Sequence, residues 1–161
     1  MNYPNFFDAK NSLNLFGFKK KHNFLSTLYK NKNLPNVLLI SGDKGIGKST
    51  LINHFLFSVY DKEHYDHTNF KIDGASNFYN QFKNDIFSSI IYLKGSDFKS
   101  VKVDDIRDLK NKIYHSTILN NDRFIILDDV ELFNINSLNA LLKIIEEPGN
   151  NFFVLINNKS K

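Results

Sequence analysis

The sequence predicts an α/β fold in which a mostly parallel sheet carries helices on its faces. Three short, uncharged apolar runs predict buried strands, and amphipathic stretches separate them along the chain. A glycine-rich turn joins the first of these runs to the first clear helix, which is the order of a strand-to-helix unit of such a sheet. The 161 residues suffice for one unit of this kind, so we expect a single domain over residues 1–161.

Periodicity and turn residues place the individual elements. A short helix around Phe24, Leu25 and Leu28 precedes the turn residues at 33–35. Strands are predicted at 37–40, 124–127 and 152–156, and helices at 51–59, 103–113 and 138–145. Residues 61–100 predict only a short strand at 69–73, a loop at 74–77 and an apolar run at 86–93 whose type stays open.

Residues 42–50 form a complete phosphate-binding loop. The loop consists of Gly42, Asp43, Lys44, Gly45, Ile46, Gly47, Lys48, Ser49 and Thr50, which satisfy G-x-x-x-x-G-K-[ST] between a strand and a helix. The glycines let backbone N–H groups turn toward phosphates, Lys48 meets the β- and γ-phosphates, and the Ser49 hydroxyl can bind Mg²⁺. The alternative is a chance glycine turn, but the strand and helix context favours ATP or ADP with Mg²⁺.

A second motif follows the apolar run 124–127. Asp128 and Asp129 end this buried-type strand, which is typical of a Walker B element. Because ligands of parallel α/β sheets bind beyond the carboxyl ends of the strands, we expect Asp128 to hold Mg²⁺. A strand that simply ends in a polar turn is the alternative, and the complete phosphate loop upstream favours the functional interpretation.

Composition excludes several other classes. The chain contains no cysteine, so disulfides, thiolate zinc sites and cysteine nucleophiles are excluded. There is no apolar run of about 20 residues and no signal-peptide pattern, so we expect no membrane association and a cytoplasmic location. The net charge of +4 suits a nucleic-acid partner without requiring one. His64 and His67 form an H-x-x-H pair in a polar segment, for which exposed surface is favoured over a metal site.

Three further segments resemble the AAA+ clamp-loader subunits of bacterial DNA polymerase III. Residues 138–148 look like the family signature N-A-L-L-K-x-x-E-E-P, residues 103–109 resemble its V-D-x-I-R-x-L, and residues 15–17 resemble its L-F-G entry. The resemblance implies a three-layer P-loop NTPase domain of the AAA+ type over residues 1–161. It also implies that this domain is incomplete at its C-terminus and lacks the family's lid and collar. The Asp-Asp-Val-Glu that starts at Asp128 is closest to the delta-prime type of subunit.

The resemblance also implies a function. A delta-prime-like subunit binds ATP and Mg²⁺ and, as part of the polymerase holoenzyme, helps to load the sliding clamp onto primer-template DNA. Its implied partners are the other clamp-loader subunits, the clamp and, through the assembled complex, DNA. The family's zinc module has no counterpart without cysteine, so no zinc is expected.

Two departures from the family pattern bear on catalysis. Asp129 stands where ATP-hydrolysing members have a glutamate and is one methylene shorter, so it would place the attacking water poorly. Asn157 corresponds to the family's sensor-1 position, and neither Arg107 nor Arg123 matches its arginine finger. We therefore expect ATP binding with weak or absent hydrolysis.

Two other functions stay open. The intact Lys48 and Ser49 would also suit an ATP-hydrolysing AAA+ motor subunit of the gamma/tau or helicase-loader type. A small P-loop phosphotransferase is less favoured, because only Arg107 lies between the two motifs where such enzymes need an arginine-rich lid. In either AAA+ case, we expect the last strand, residues 152–156, to be left as an unpaired apolar edge.

Overall fold

The computed structural model describes residues 8–115 and 122–158 of the chain. These residues form α1 Lys19–Lys30, β1 Val37–Ser41, α2 Lys48–Tyr60, β2 Tyr65–Asp66, β3 Lys71–Ile72, α3 Asn77–Lys83, β4 Ile90–Lys94, α4 Val103–His115, β5 Arg123–Asp128, α5 Ile135–Ile145 and β6 Asn151–Asn157. They divide into two compact units, Met1–Leu34 with Gly45–Phe87 and Pro35–Lys44 with Ser88–Lys161. The single domain over residues 1–161 stays a prediction.

The second unit is built on a four-stranded sheet. All its strand pairs are parallel, in the order β1-β6-β5-β4, and β5 is buried along its whole length. One apolar cluster joins the sheet to α4 and α5 and contains Val101, Ile106, Leu109, Ile113, Ile125, Leu127, Val130, Phe133, Leu141, Ile144 and Phe153. The sequence places these residues at strand and helix periods, and the predicted α/β class with a mostly parallel sheet is confirmed.

Capping residues fix the ends of the helices of the second unit. Asp104 and Asp105 lie in the first turn of α4, as predicted, and the Lys102 backbone N–H donates to Asp105 Oδ2 at 2.7 Å. The Asn134 side chain caps α5 by accepting from the Ser137 N–H at 2.8 Å.

The first unit packs α1, α2, α3 and the short antiparallel ribbon β2–β3 around an aromatic core. In helix α2, Lys48 and every residue from Leu51 to Ser58 are buried. Phe57 makes edge-to-face ring contacts with Phe78 and Phe82, with ring centroids 4.8 and 5.1 Å apart. A helix that is buried on nearly all sides needs apolar side chains around its whole circumference, and the apolar residues within 51–57 provide them on α2.

Three predictions are corrected or completed. Residues 86–93 form a strand only from Ile90, since Ile86 is 70% exposed. The predicted loop at 74–77 ends in Ser76, whose hydroxyl accepts from the Tyr79 N–H at 3.0 Å and so caps α3, a helix that the sequence did not indicate.

The third correction concerns the edge of the sheet. The expectation that residues 152–156 form an unpaired edge is wrong, because β6 lies between β1 and β5. Instead, β1 and β4 are the outer strands among those described, and the Leu39 side chain of β1 is 62% exposed.

Within the described ranges, no helix is long and apolar enough to cross a membrane. The longest of these helices, α2 and α4, have 13 residues each.

Candidate functional site

The backbone of the phosphate loop adopts the turn that its glycines predict. Gly45 and Gly47 have φ angles of +83° and +94°, in the left-handed region that side chains disfavour. Gly47 is the N-cap of α2, and its carbonyl accepts the first helical hydrogen bond from the Leu51 N–H at 2.9 Å. The helix therefore begins at Lys48, so its positive dipole end coincides with the glycine turn.

The side chains of the loop differ in burial. Asp43, Lys44 and Ile46 are exposed, Ser49 and Thr50 are half-buried, and Lys48 is only 4% exposed. A buried ammonium group is stable only where anionic or polar groups surround it. This loop therefore has the glycine conformation, the helix start and the enclosed lysine that binding of phosphate groups requires.

A second group of polar side chains lies at the carboxyl end of β5. Asp128 and Asp129 are 5% and 4% exposed, and the Asp129 N–H donates to Asp128 Oδ1 at 2.9 Å. Asp129 itself has a φ of +54°, an uncommon left-handed conformation for a residue with a side chain, and it begins the 3₁₀ turn Val130–Leu132. Strained backbone of this kind clusters at functional sites.

Asn158 holds these carboxylates from the end of β6. Its Nδ2 donates to Asp128 Oδ1 at 3.4 Å and also to Asp129 Oδ1, and its backbone N–H donates to Glu131 Oε2 at 3.0 Å. One asparagine thus contacts three acidic side chains, which leaves the Asp129 carboxylate oriented by an amide. Sequence reasoning missed Asn158, because its hydrogen bonds reach residues about 30 positions away, which no local pattern in the sequence indicates.

Asn157, the predicted sensor residue, occupies a different place. It is the last residue of β6 and pairs with Ser41, directly before Gly42 at the start of the phosphate loop. The end of β6 therefore places Asn157 opposite Ser41, and the next residue, Asn158, contacts Asp128 and Asp129. The assignment of Asn157 as the sensor stays a prediction, and Asn158 is the asparagine whose contacts with the acidic residues are resolved.

Gly95 completes this end of the sheet and was also missed. It follows β4 and is buried, and a Cβ built at this position would lie 2.5 Å from the Asp129 carbonyl oxygen. Real Cβ atoms do not come so close to another atom, so only glycine lets the end of β4 approach the turn at Asp129. No sequence signal distinguishes this glycine from an ordinary turn residue.

The remaining candidates take local, structural partners. Arg123 is buried and its Nη1 donates to the Ile113 carbonyl at 2.5 Å, while Arg107 pairs with Asp104 on the surface of α4. His64 and His67 are exposed, as predicted, and the hydrogen bond to Asp61 raises the pKa of His64. Across residues 8–115 and 122–158, no three His, Cys, Asp or Glu side chains are grouped to hold a metal ion on their own.

Ser49 and Asp128 each fit the chemistry of Mg²⁺, although no all-protein cage is present in the described ranges. Mg²⁺ prefers one or two protein oxygens together with substrate phosphates and water. Ser49 offers a hydroxyl in the first turn of α2, and Asp128 offers a carboxylate at the end of β5. The two residues belong to different compact units, and each is a Mg²⁺ ligand by prediction.

Comparisons with known proteins relate this chain to subunits of DNA polymerase III. Residues 17–161 match the family described as DNA polymerase III, delta subunit. DNA polymerase III subunit delta' of Pseudomonas aeruginosa is 36% identical over 58 residues, which are 36% of this chain and 18% of that protein. Subunit delta' of Buchnera aphidicola from Baizongia pistaciae is 32% identical over 72 residues, 44% of this chain and 21% of that protein.

One gamma subunit is also similar to this chain. DNA polymerase III subunit gamma of Buchnera aphidicola from Acyrthosiphon pisum is 27% identical over 112 residues, 68% of this chain and 29% of that protein. A crystal structure of a gamma subunit-related protein from Thermotoga maritima aligns with a TM-score of 0.47 at 19% identity, over 83% of this chain and 38% of that one. The chain thus spans less than a third of the length of each of these three DNA polymerase III subunits.

Proposed function

Because the chain belongs to the family described as DNA polymerase III, delta subunit, we propose that it is a delta-prime-like component of the clamp loader that binds ATP with Mg²⁺. The observation that carries this proposal is the coincidence of the family match over residues 17–161 with a complete phosphate loop at 42–50. Its partners are the other clamp-loader subunits, the sliding clamp and, through the assembled complex, primer-template DNA.

The residues of the loop have distinct roles in nucleotide binding. The backbone from Gly42 to Thr50 surrounds the phosphates, and Lys48 neutralises the β- and γ-phosphate charge. Ser49 and Asp128 each supply an oxygen for Mg²⁺, which when bound neutralises phosphate charge. The start of α2 at Lys48 supports this proposal, since the helix dipole favours an anion at that end.

Hydrolysis by this chain is slow or absent under the proposal. A general base must reach the attacking water, and aspartate at position 129 is one methylene shorter than the glutamate of hydrolysing subunits. The contacts of Asp129 support the same conclusion. Asp129 is only 4% exposed, and its carboxylate accepts from the Asn158 amide, which restrains it further. Under the proposal, the subunit binds ATP and holds its place in the clamp loader but does not hydrolyse ATP at an appreciable rate.

A second candidate is an ATP-hydrolysing, gamma-like subunit. The observation that favours it is the 112-residue similarity to a gamma subunit, which covers more of this chain than either delta-prime match. Steady-state ATPase separates the two candidates. Turnover that depends on Lys48 favours the gamma-like role, and nucleotide binding with background turnover favours the delta-prime-like role.

A chimera tests the assignment to the clamp loader. Residues 17–161 replace the matching region of the Pseudomonas aeruginosa delta' subunit, which supplies the remainder of the protein. We expect the chimera to co-elute with the other clamp-loader subunits during size-exclusion chromatography, with the unmodified Pseudomonas aeruginosa subunit as the positive control. A chimera that is folded by circular dichroism but excluded from the complex contradicts the proposed function.

A further inference from the structure

The N-terminal part of the chain has a charge distribution unlike the rest. Between Asp8 and Asp43 there is no acidic residue, but there are six lysines at positions 10, 19, 20, 21, 30 and 32. The whole chain has 21 basic and 17 acidic side chains. Outside this segment the chain therefore has 15 basic side chains and all 17 acidic ones. The positive charge of the protein is therefore concentrated in this segment.

Three of these lysines lie where helix stability disfavours them. Lys19, Lys20 and Lys21 form the first turn of α1, and all three are exposed. Cations at a helix N-terminus oppose the helix dipole, and acidic residues are preferred there, as Asp104 and Asp105 on α4 illustrate. Within residues 8–115 and 122–158, no carboxylate forms an ion pair with any of the three. Neither the helix dipole nor ion pairing therefore accounts for the cluster.

Exposed aromatic rings flank the lysines along the chain. Phe16 is 82% exposed, more than any other large hydrophobic residue in the described ranges, and Phe24 is 63% exposed. Lys20 and Phe24 are four residues apart on α1, so their side chains lie one above the other on the same face. We call Phe16, Lys19, Lys20, Lys21 and Phe24 the basic-aromatic patch.

The backbone around the patch keeps Phe16 at the surface. Leu15 is buried, and its N–H donates to the Phe70 carbonyl at 3.0 Å, which anchors the residue before Phe16. Gly17 then turns the chain in the left-handed region at φ +80°. The Nζ atoms of Lys19 and Lys21 lie 5.2 and 5.0 Å from the ring centroids of Phe70 and Phe18. Rings rather than carboxylates thus orient these two lysines.

We propose that the basic-aromatic patch binds single-stranded nucleic acid, with the three lysines on its phosphates and Phe24 and Phe16 stacked on its bases. The combination of clustered cations and exposed rings is the one that sequence-independent binding of single strands uses. A duplex keeps its bases stacked and offers the rings no partner, so a single strand fits the patch better. This inference does not depend on nucleotide binding at the phosphate loop.

The test measures fluorescence anisotropy of a labelled oligothymidylate of about 15 nucleotides with the full 161-residue chain. We expect the triple variant Lys19→Gln, Lys20→Gln, Lys21→Gln to bind roughly ten-fold more weakly. We also expect its slope of log affinity against log salt to fall by about 2, because each phosphate contact on a single strand contributes about 0.7. Thermal unfolding of this variant should stay unchanged or improve, since the removed charges oppose the helix dipole.

A matched control removes the same charge elsewhere. Lys99, Lys102 and Lys110 are exposed on the second unit, and Lys110 also lies over an aromatic ring, that of Tyr114, at 5.6 Å. Acidic residues on and beside α4 surround them, at positions 97, 104, 105 and 108. The triple variant of these lysines to Gln should keep affinity within about two-fold of the wild type, because its charges are already balanced locally. If both triple variants lost affinity for the oligothymidylate equally, net charge alone would explain the loss, and the proposal would be overturned.

Phe24→Leu tests the stacking component. It preserves an apolar side chain on the helix but removes the ring, and we expect affinity to fall about five-fold or more. Phe98→Leu, at a residue 36% exposed on the second unit, is the control and should have no effect. Unchanged affinity in Phe24→Leu, or no binding by the wild type at low salt, overturns the proposal. If a polyglutamate peptide bound more tightly than the oligothymidylate, and this binding depended on Phe24, the ligand of the patch would be an acidic protein segment. That result would also overturn the proposal.

Discussion

Gly95 has no room for a side chain, and this constraint reaches the acidic end of β5. Because a Cβ would lie 2.5 Å from the Asp129 carbonyl, Gly95→Ala must displace either the end of β4 or the turn that carries Asp129. We expect this change to lower the free energy of unfolding by ~1–3 kcal/mol, the usual cost of overpacking a buried site. Urea denaturation measures the loss.

Gly74→Ala is the matched control for Gly95→Ala. Its Cβ would meet Leu13 Cδ1 at 3.1 Å, the far end of a flexible side chain that can move. The expected loss is therefore clearly smaller than at Gly95. If both variants unfold at the same urea concentration as the wild type, the close approach of β4 to Asp129 is not as tight as described.

At the scale of single residues, the sequence predicts site residues only where a local motif exists. Lys48 and Ser49 follow from the loop pattern and Asp128 from the end of a buried run, because each lies within a few residues of its motif. Asn158 and Gly95 could not be identified this way. Their roles depend on strand register and on backbone approach between elements distant in sequence, which no local pattern encodes.

Two buried histidines, His22 on α1 and His54 on α2, connect these helices through hydrogen bonds and ring contacts. His54 Nε2 lies 3.0 Å from the Ser12 carbonyl and its Nδ1 lies 3.1 Å from the Tyr65 hydroxyl, so a neutral ring donates to the first and accepts from the second. His22 Nε2 donates to the His54 carbonyl at 3.3 Å, and the His22 ring stacks on Tyr65. Burial lowers the pKa of His54 to about 4 and also lowers the pKa of His22.

The lowered pKa values predict acid sensitivity of this helix pair. The unfolded chain binds protons at these histidines below about pH 6.5, whereas folded His54 does so only near pH 4. Stability is therefore fully present above pH 6.5 and declines as the pH falls from 6.5 toward 4, by ~3 kcal/mol for His54 alone. Urea midpoints at pH 7 and pH 5 measure the decline.

A non-titrating side chain at position 54 should flatten this dependence. His54→Gln keeps a hydrogen-bonding side chain, so we expect a loss of stability at pH 7 but a smaller difference between pH 7 and pH 5. His67→Gln, at an exposed histidine, should retain the wild-type difference. A full pH dependence in His54→Gln would mean that other groups cause the acid sensitivity.

At the scale of elements, periodicity predicts the long segments and fails in the short ones. The helices α2, α4 and α5 and the strands β1, β5 and β6 follow from apolar spacing. Helix α3 has seven residues, too few for a period to stand out, and its one local signal is the Ser76 cap. The sequence does not decide the type of β4, because a short apolar run fits a buried strand and a buried helix equally.

For the molecule as a whole, one of the two outer strands of the sheet, β1, predicts self-association. Among the described strands β1 has a neighbour on one side only, it contains no charged residue, and Leu39 is 62% exposed. An edge strand without charge or proline is a template for pairing with another chain. We expect the 161-residue chain to self-associate as concentration rises, and Leu39→Lys to shift it toward the monomer in analytical ultracentrifugation.

Leu142→Lys separates edge pairing from general hydrophobicity. Leu142 is 54% exposed but lies on α5, where no strand edge is offered. The Leu142→Lys variant should therefore self-associate to the same extent as the wild type. Equal effects of the two variants, or a wild type that remains monomeric at high concentration, would contradict pairing through β1.

Binding of ATP with Mg²⁺ is the central claim, and calorimetric titration of the chain tests it most directly. We expect saturable binding by the wild type and a fall of roughly 10- to 100-fold in Lys48→Ala, since a charge-assisted contact of ~1.5–3 kcal/mol is removed. Lys62→Ala, which removes an exposed lysine just after α2, should bind like the wild type. Equal affinity of the wild type and Lys48→Ala for ATP would contradict the account.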